Sequence, residues 1–150
     1  MTAENQAKSQ HTFDVIAAHL LIQGQPSTGI TISQSGSGKV SIGCAYRGDN
    51  GMRCAVGFCI SNENYHAEME GKSAHAEIVR NAIGPEYCND KEFLGELQSI
   101  HDNPLSNDSY CTWADELRDF AENHQLDSSI VDTVQAAQVP QLTALAEAHA

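Results

Sequence analysis

The chain has 150 residues, 41% of them apolar, with 20 acidic against 8 basic side chains and a formal net charge of −12. That length suits one domain built around one core. The absence of any apolar run of membrane-span length excludes a spanning helix, and the acidity argues against a general binder of phosphate backbones. The charge is unevenly placed: residues 1–60 hold three acids and four bases, residues 61–150 hold 17 acids and four bases. The second part therefore repels nucleic acid and suits a basic partner. The first residues, Met1-Thr2-Ala3-Glu4, are polar with no apolar signal region. Five cysteines cannot all pair, so free thiols in a reducing cytoplasm are expected.

Residues 1–11 are polar and are expected to fray, leaving a single domain over 12–150. Thr12 is placed to cap a helix over 13–23 with Phe13, Ile16, Ala17 and Leu20 on its apolar face, stopped by Gly24 and Pro26. Residues 30–32 read as a short strand, and 33–38 as a flexible Ser/Gly loop.

Residues 40–60 carry the clearest β signal. Val40, Ile42, Cys44 and Tyr46 alternate with small or polar residues, as do Met52, Cys54, Val56, Phe58 and Ile60, on either side of Asn50-Gly51. A three-residue loop, Asp49-Asn50-Gly51, puts both apolar sets on one face; a two-residue turn would oppose them, so burial selects the longer loop. That register pairs Tyr46 with Cys54 and Cys44 with Val56. It sets Cys44 and Cys54 diagonally on the buried face, Cβ atoms roughly 7 Å apart. Residues 30–32 would complete a three-stranded antiparallel meander.

Beyond Ile60 the apolar period lengthens to about 3.6 residues. Ser61-Asn62 opens a short helix through Tyr65 to Met69. Ser73 opens another carrying Ile78, Val79, Ala82 and Ile83, ended by Gly84-Pro85. Asn89 or Asp90 opens a helix over 91–101 with Phe93, Leu94, Leu97 and Ile100 on one side, closed by Asn103-Pro104. Asn107 or Asp108 opens the most regular helix, with Tyr110, Trp113, Ala114, Leu117, Phe120, Ala121 and His124 inward and Asp115, Glu116, Asp119 and Glu122 outward. Ser128 or Ser129 opens the last, which Pro140 should kink or restart. The fold class is thus α+β, a small antiparallel sheet (a hairpin or meander) packed against several C-terminal helices.

Some residue sets are of types that carry chemistry. Gly38-Lys39 fails as a phosphate loop, because Ser33 and Val40 stand where that pattern needs Gly and Ser or Thr. His75-Ala76-Glu77 matches the His-x-Glu half of zinc-dependent nucleobase deaminases, which supplies one zinc ligand and the proton-shuttling carboxylate. The Pro-Cys-x-x-Cys half has no counterpart, and one histidine does not retain zinc. Cys44, Cys54 and His101 are candidate ligands of a zinc ion, thiolate and imidazole being suitable donors. Cys59, His66, Cys88 and Cys111 are further donors. The competing expectation is that the thiols are core residues, since free cysteines are among the most buried side chains. His101-Asp102 also recurs in metal-dependent phosphohydrolases, whose other histidine and aspartate have no identifiable counterparts here.

The ordered set Cys44-x-Tyr46-Arg47, Asn50-Gly51, Cys54-x-x-Gly57, Ile60, Tyr65, Met69-Glu70-Gly71, Leu97-Gln98 and His101-Asp102 resembles a group of small phage and prophage proteins over about residues 13–125. The resemblance implies a viral or mobile-element origin and assigns no activity. A small acidic protein of that kind is expected to act by stoichiometric binding to a basic host protein in the host cytoplasm. It would inhibit a defence or nucleic-acid enzyme rather than act as an enzyme itself. The expected surface comprises Glu68, Glu70, Asp115, Glu116, Asp119 and Glu122. No cofactor, direct nucleic-acid contact or membrane contact is expected. The alternatives are a zinc-dependent deaminase-like hydrolase using His75 and Glu77, and a structural or accessory phage protein.

Overall fold

The computed structural model describes residues 2–32, 40–106 and 112–148. Along them run α1 (Ala3–Gln23), β1 (Thr28–Ile32), β2 (Val40–Cys44), α2 (Ala55–Phe58), α3 (Glu77–Ala82), α4 (Lys91–Ser106), α5 (Trp113–Asn123) and α6 (Ser129–Ala148), with 3-10 turns at Asp49–Gly51 and Ala67–Met69. The class is α+β. The sheet is the antiparallel pair β1–β2, in a register that sets Thr28 opposite Cys44 and Ile32 opposite Val40. None of the described helices is long and apolar enough to cross a membrane.

The helical half follows its periodicity. Phe93, Leu94, Leu97 and Ile100 of α4 and Ala114, Leu117, Phe120 and Ala121 of α5 are all buried. They meet Phe13, Ile16, Ala17 and Leu20 of α1 in one core cluster. Phe120 stacks on Phe13 with ring centroids 5.8 Å apart and takes the edge of Phe93 at 5.1 Å. Burying such rings dominates core energetics.

Several boundaries differ from expectation. Residues 1–11 do not fray as a unit: α1 begins at Ala3, capped by Thr2, whose side chain accepts the Asn5 N–H. The polar residues of this first stretch are tied to the loop before α6. The Gln10 side chain donates to Asp127 O and accepts from Asp127 N, both at 2.9 Å, and Gln6 donates to Gln125 O. Thr12 is therefore a mid-helix residue, its hydroxyl donating to Lys8 O and accepting the Cys88 N–H. Gly24 ends α1 as expected, in the left-handed region at φ 75°.

The expected strand over 52–60 is absent, and with it the third strand of the meander. The pairing of β2 with β1 is the part of the meander that forms, and the chain then turns through Asp49–Gly51 into α2. Side chains take the backbone groups that a hairpin ladder would have used. The Glu70 carboxylate accepts the Tyr46 N–H at 2.7 Å and the Arg47 N–H at 3.3 Å. Arg47 donates to Gly57 O at 2.7 Å and Ile60 O at 2.6 Å, and lies over the Tyr65 ring. Gln98 accepts the Val56 N–H. Cys54 caps α2, its sulfur accepting the Gly57 N–H. The apolar alternation of 52–60 is thus spent on one buried turn of helix and its flanks.

α4 continues past Asn103-Pro104 to Ser106. A proline lacks the N–H that would reach the carbonyl four residues back. That carbonyl, Ile100 O, accepts the indole N–H of Trp113 at 2.9 Å, so the interruption leaves no orphan. The helix proposed over 61–69 reduces to the turn Ala67–Met69, and α3 starts later than Ser73. α6 is one helix across Pro140. The caps proposed at Asn107 or Asp108, the residues Tyr110 and Cys111, and the loop over 33–38 lie outside the described residues.

Candidate binding groove and its polar floor

A groove of about 940 Å³ runs between α4, α5 and the loop over 71–75. Five carboxylates line it: Glu92, Glu96 and Asp102 from α4, Glu116 and Asp119 from α5. Against them stand one lysine, Lys72, and one histidine, His75. The two helices place their acids together because each buries its apolar stripe against the other, which turns the adjoining polar flanks toward one cleft. Glu96 pairs with His124 at 2.9 Å across the helices. Asn103 donates to the Glu116 carboxylate. Glu92 and Asp119 carry no hydrogen bond or ion pair to a described residue. Gly95 matters because a Cβ there would sit 2.7 Å from Nε2 of His75, so the missing side chain gives this ring its place on the wall.

Cys44, Tyr46, Gln98 and Asp102 form the inner end of the groove, with His101 fully buried behind them. Ligand atoms of Cys44, His101 and Asp102 lie within 4.8 Å of one another, and the Cys44 thiol hydrogen-bonds the thiol of Cys54. Gln98 ties the set together. Its Nε2 donates to Cys44 Sγ at 2.9 Å and to Asp102 Oδ1 at 3.0 Å. Its Oε1 accepts the Val56 N–H at 3.1 Å, which fixes which end of the amide is which. His101 contacts Asp102 Oδ1 through Nδ1 at 2.8 Å, and its Nε2 accepts the Ser27 N–H at 2.8 Å.

These bonds decide what the cluster does. Burial disfavours the imidazolium of His101, whereas hydrogen bonds to Asp102 and Cys44 favour it and would carry its pKa up to about 9. The Ser27 N–H overrides that balance. A backbone N–H can only donate, so Nε2 keeps its lone pair and the ring is neutral, with its proton on Nδ1. Both nitrogens are then committed, Nδ1 to Asp102 Oδ1 and Nε2 to the Ser27 N–H. The Cys44 thiol is itself held far above the ordinary thiol range by its hydrogen bond to Cys54 and by burial, so it is not a resting thiolate. The space between Cys44 Sγ and Asp102 Oδ1, where a cation would sit, holds the Gln98 amide nitrogen and its two protons. Cys44, Cys54 and His101 do come together, but as a hydrogen-bonded network whose donors and acceptors do not fit zinc coordination.

The other sequence candidates separate. His75 and Glu77 are both exposed, and among the described residues neither joins a group of potential metal ligands. The Glu70 carboxylate accepts from Tyr46 N, Arg47 N and the Tyr65 hydroxyl, and Glu70 is not among the residues that line the groove. Glu68 is exposed and is not among the residues that line the groove. On α5, Glu116 and Asp119 face the groove, while Asp115 pairs with Arg118 and Glu122 is exposed outside it. Glu92, Glu96 and Asp102 were missed as members of this surface. The i, i+4 spacing of Glu92 and Glu96 on the flank of the Phe93–Leu97 stripe was the available signal for those two.

The fold and the groove define a small α+β chain with an acidic cleft over a closed polar network. No protein-family model, curated protein or solved structure matches the chain.

Proposed function

We propose that the chain is a binding protein whose acidic groove holds a basic segment of a partner protein. The observation that supports this reading is the convergence of five carboxylates on one concave surface with a single lysine among them. Such a cleft focuses negative potential and steers a cationic partner. Two of the carboxylates, Glu92 and Asp119, are uncommitted to described residues and so have charge to offer. The resemblance to phage and prophage proteins makes a host protein in the host cytoplasm the proposed partner. The proposed consequence is stoichiometric inhibition of a defence or nucleic-acid enzyme through its basic surface. An enzymatic reading gains no support from Cys44 and His101, whose reactive atoms are paired with each other's neighbours.

The test is titration with an oligo-arginine peptide, read by calorimetry. Glu92→Lys combined with Asp119→Lys is expected to weaken binding at least about tenfold, with the loss appearing in the salt dependence as well. Reversal of Glu68 and Glu122 serves as the control and should leave affinity within about twofold. Equal binding by the groove double variant, or binding that ignores salt, would sink the proposal.

A further inference from the structure

Cys44 and Cys54 make one feature that the groove does not use. The two thiols are neighbours across Gln98: Cys44 is half-buried on the groove wall, and Cys54 is fully buried at the start of α2. Gln98 brackets them from one side, donating to Cys44 Sγ while accepting the N–H of Val56, two residues beyond Cys54. From the other side, Gly57 N–H fixes Cys54 Sγ at 3.3 Å. The two sulfurs are therefore held together by ladder-independent contacts at the end of β2 and the start of α2. Cys59 and Cys88, the other described thiols, stand outside this pair.

We propose that Cys44 and Cys54 are a modification site, a vicinal dithiol that a small-molecule disulfide converts to an intramolecular disulfide. In the first step the Cys44 thiolate, reached from the groove, attacks one sulfur of the reagent. A mixed disulfide forms on Cys44, the reagent's S–S bond breaks, and one thiolate leaves. In the second step the Cys54 thiolate attacks the Cys44 sulfur and expels the second reagent thiolate. The two protons lost by the protein end on the two released thiols. The protein dithiol is oxidised and the reagent is reduced. Because the Cys44 thiol is held protonated at rest by its contact with Cys54 and by burial, the first step is slow near neutrality and accelerates with pH as the thiolate fraction grows. The order of attack follows from exposure, since only Cys44 is open to the reagent. None of this depends on what the groove binds.

Native full-length protein incubated with glutathione disulfide tests the idea, with intact-mass and peptide-mass readout. The expected product has lost two hydrogen atoms and carries a Cys44–Cys54 cross-link, with Cys59 and Cys88 still free to alkylate. The rate should rise about tenfold per pH unit below the thiol pKa. Cys54→Ser should stop at a stable glutathione adduct on Cys44. Serine keeps the cap of α2, because its hydroxyl accepts the Gly57 N–H as the sulfur does, so this variant retains the fold. Cys44→Ser should take up no adduct at Cys54. A cross-link through any other cysteine, Cys111 included, would overturn the proposal. So would an unmodified protein, a first adduct on Cys54, or wild-type protein that stops at the Cys44 adduct.

Discussion

The backbone N–H of Ser27 points at Nε2 of His101, 2.8 Å away and 74 residues on in the chain. The contact joins the α1–β1 connection to the middle of α4 and fixes the tautomer of a fully buried ring. Nitrogen-15 NMR of histidine-labelled protein should show one protonated and one bare nitrogen for His101 from about pH 6 to 8, with the bare one at Nε2. Two protonated nitrogens in that range would mean that Asp102 wins over Ser27, and the neutral assignment would fall. His101→Leu should cost about 2–3 kcal/mol, because it strands the buried Ser27 N–H and removes a donor to Asp102.

Glu70 is the carboxylate that redirects the chain after β2. It accepts from Tyr46 N, Arg47 N and the Tyr65 hydroxyl. Glu70→Ala orphans two backbone donors and should cost about 2–4 kcal/mol, read as a shift in the urea midpoint. Glu68→Ala, two residues away and exposed, should stay within about 0.5 kcal/mol. Equal effects at both positions would reduce Glu70 to an ordinary surface acid.

These two residues also mark where local sequence stops being informative. α4 and α5 were legible because Phe93, Leu94, Leu97 and Ile100, and Ala114, Leu117 and Phe120, encode their own burial at helical spacing. The 52–60 segment was not legible. Its alternation fits a strand locally, and what cancels the strand is Arg47 and Gln98 reaching its backbone from 10 and 42 residues away, while Glu70 takes the N–H groups of Tyr46 and Arg47 on the side of β2. The site shows the same division. Cys44, Cys54 and His101 stood out singly by residue type, as did the acids of α5. That Gln98 fills the space between Cys44 and Asp102, and that α4 supplies most of the groove's carboxylates, follows only from packing.

Two glycines near this junction give a paired comparison. A Cβ on Gly57 would lie 2.5 Å from Tyr46 O and 3.0 Å from Tyr46 Cα, so backbone must move. Gly57→Ala should destabilise by about 1–3 kcal/mol, the range for overpacking a tight site. A Cβ on Gly43, within β2, meets nothing within 4 Å. Gly43→Ala should be neutral or gain up to about 1 kcal/mol, as removing glycine from a strand interior does. Thermal melts of the two variants check both signs at once.

His19 gives the pH dependence. It stacks on Phe58 at 4.3 Å, and its Nε2 donates to Arg53 O at 2.8 Å. Burial lowers its pKa from the ordinary value near 6.5, outweighing the carbonyl contact, which pulls the other way. A group depressed in the folded state binds more protons when unfolded, so its contribution to stability is present above the unfolded pKa and is lost as pH falls through the folded one. Urea denaturation should therefore show stability dropping as pH falls below about 6.5. His19→Gln keeps a donor for Arg53 O and removes the titration, so it should flatten that part of the curve. If the variant retained the full wild-type slope there, the acid sensitivity would have to come from carboxylates, and His19 would be exonerated.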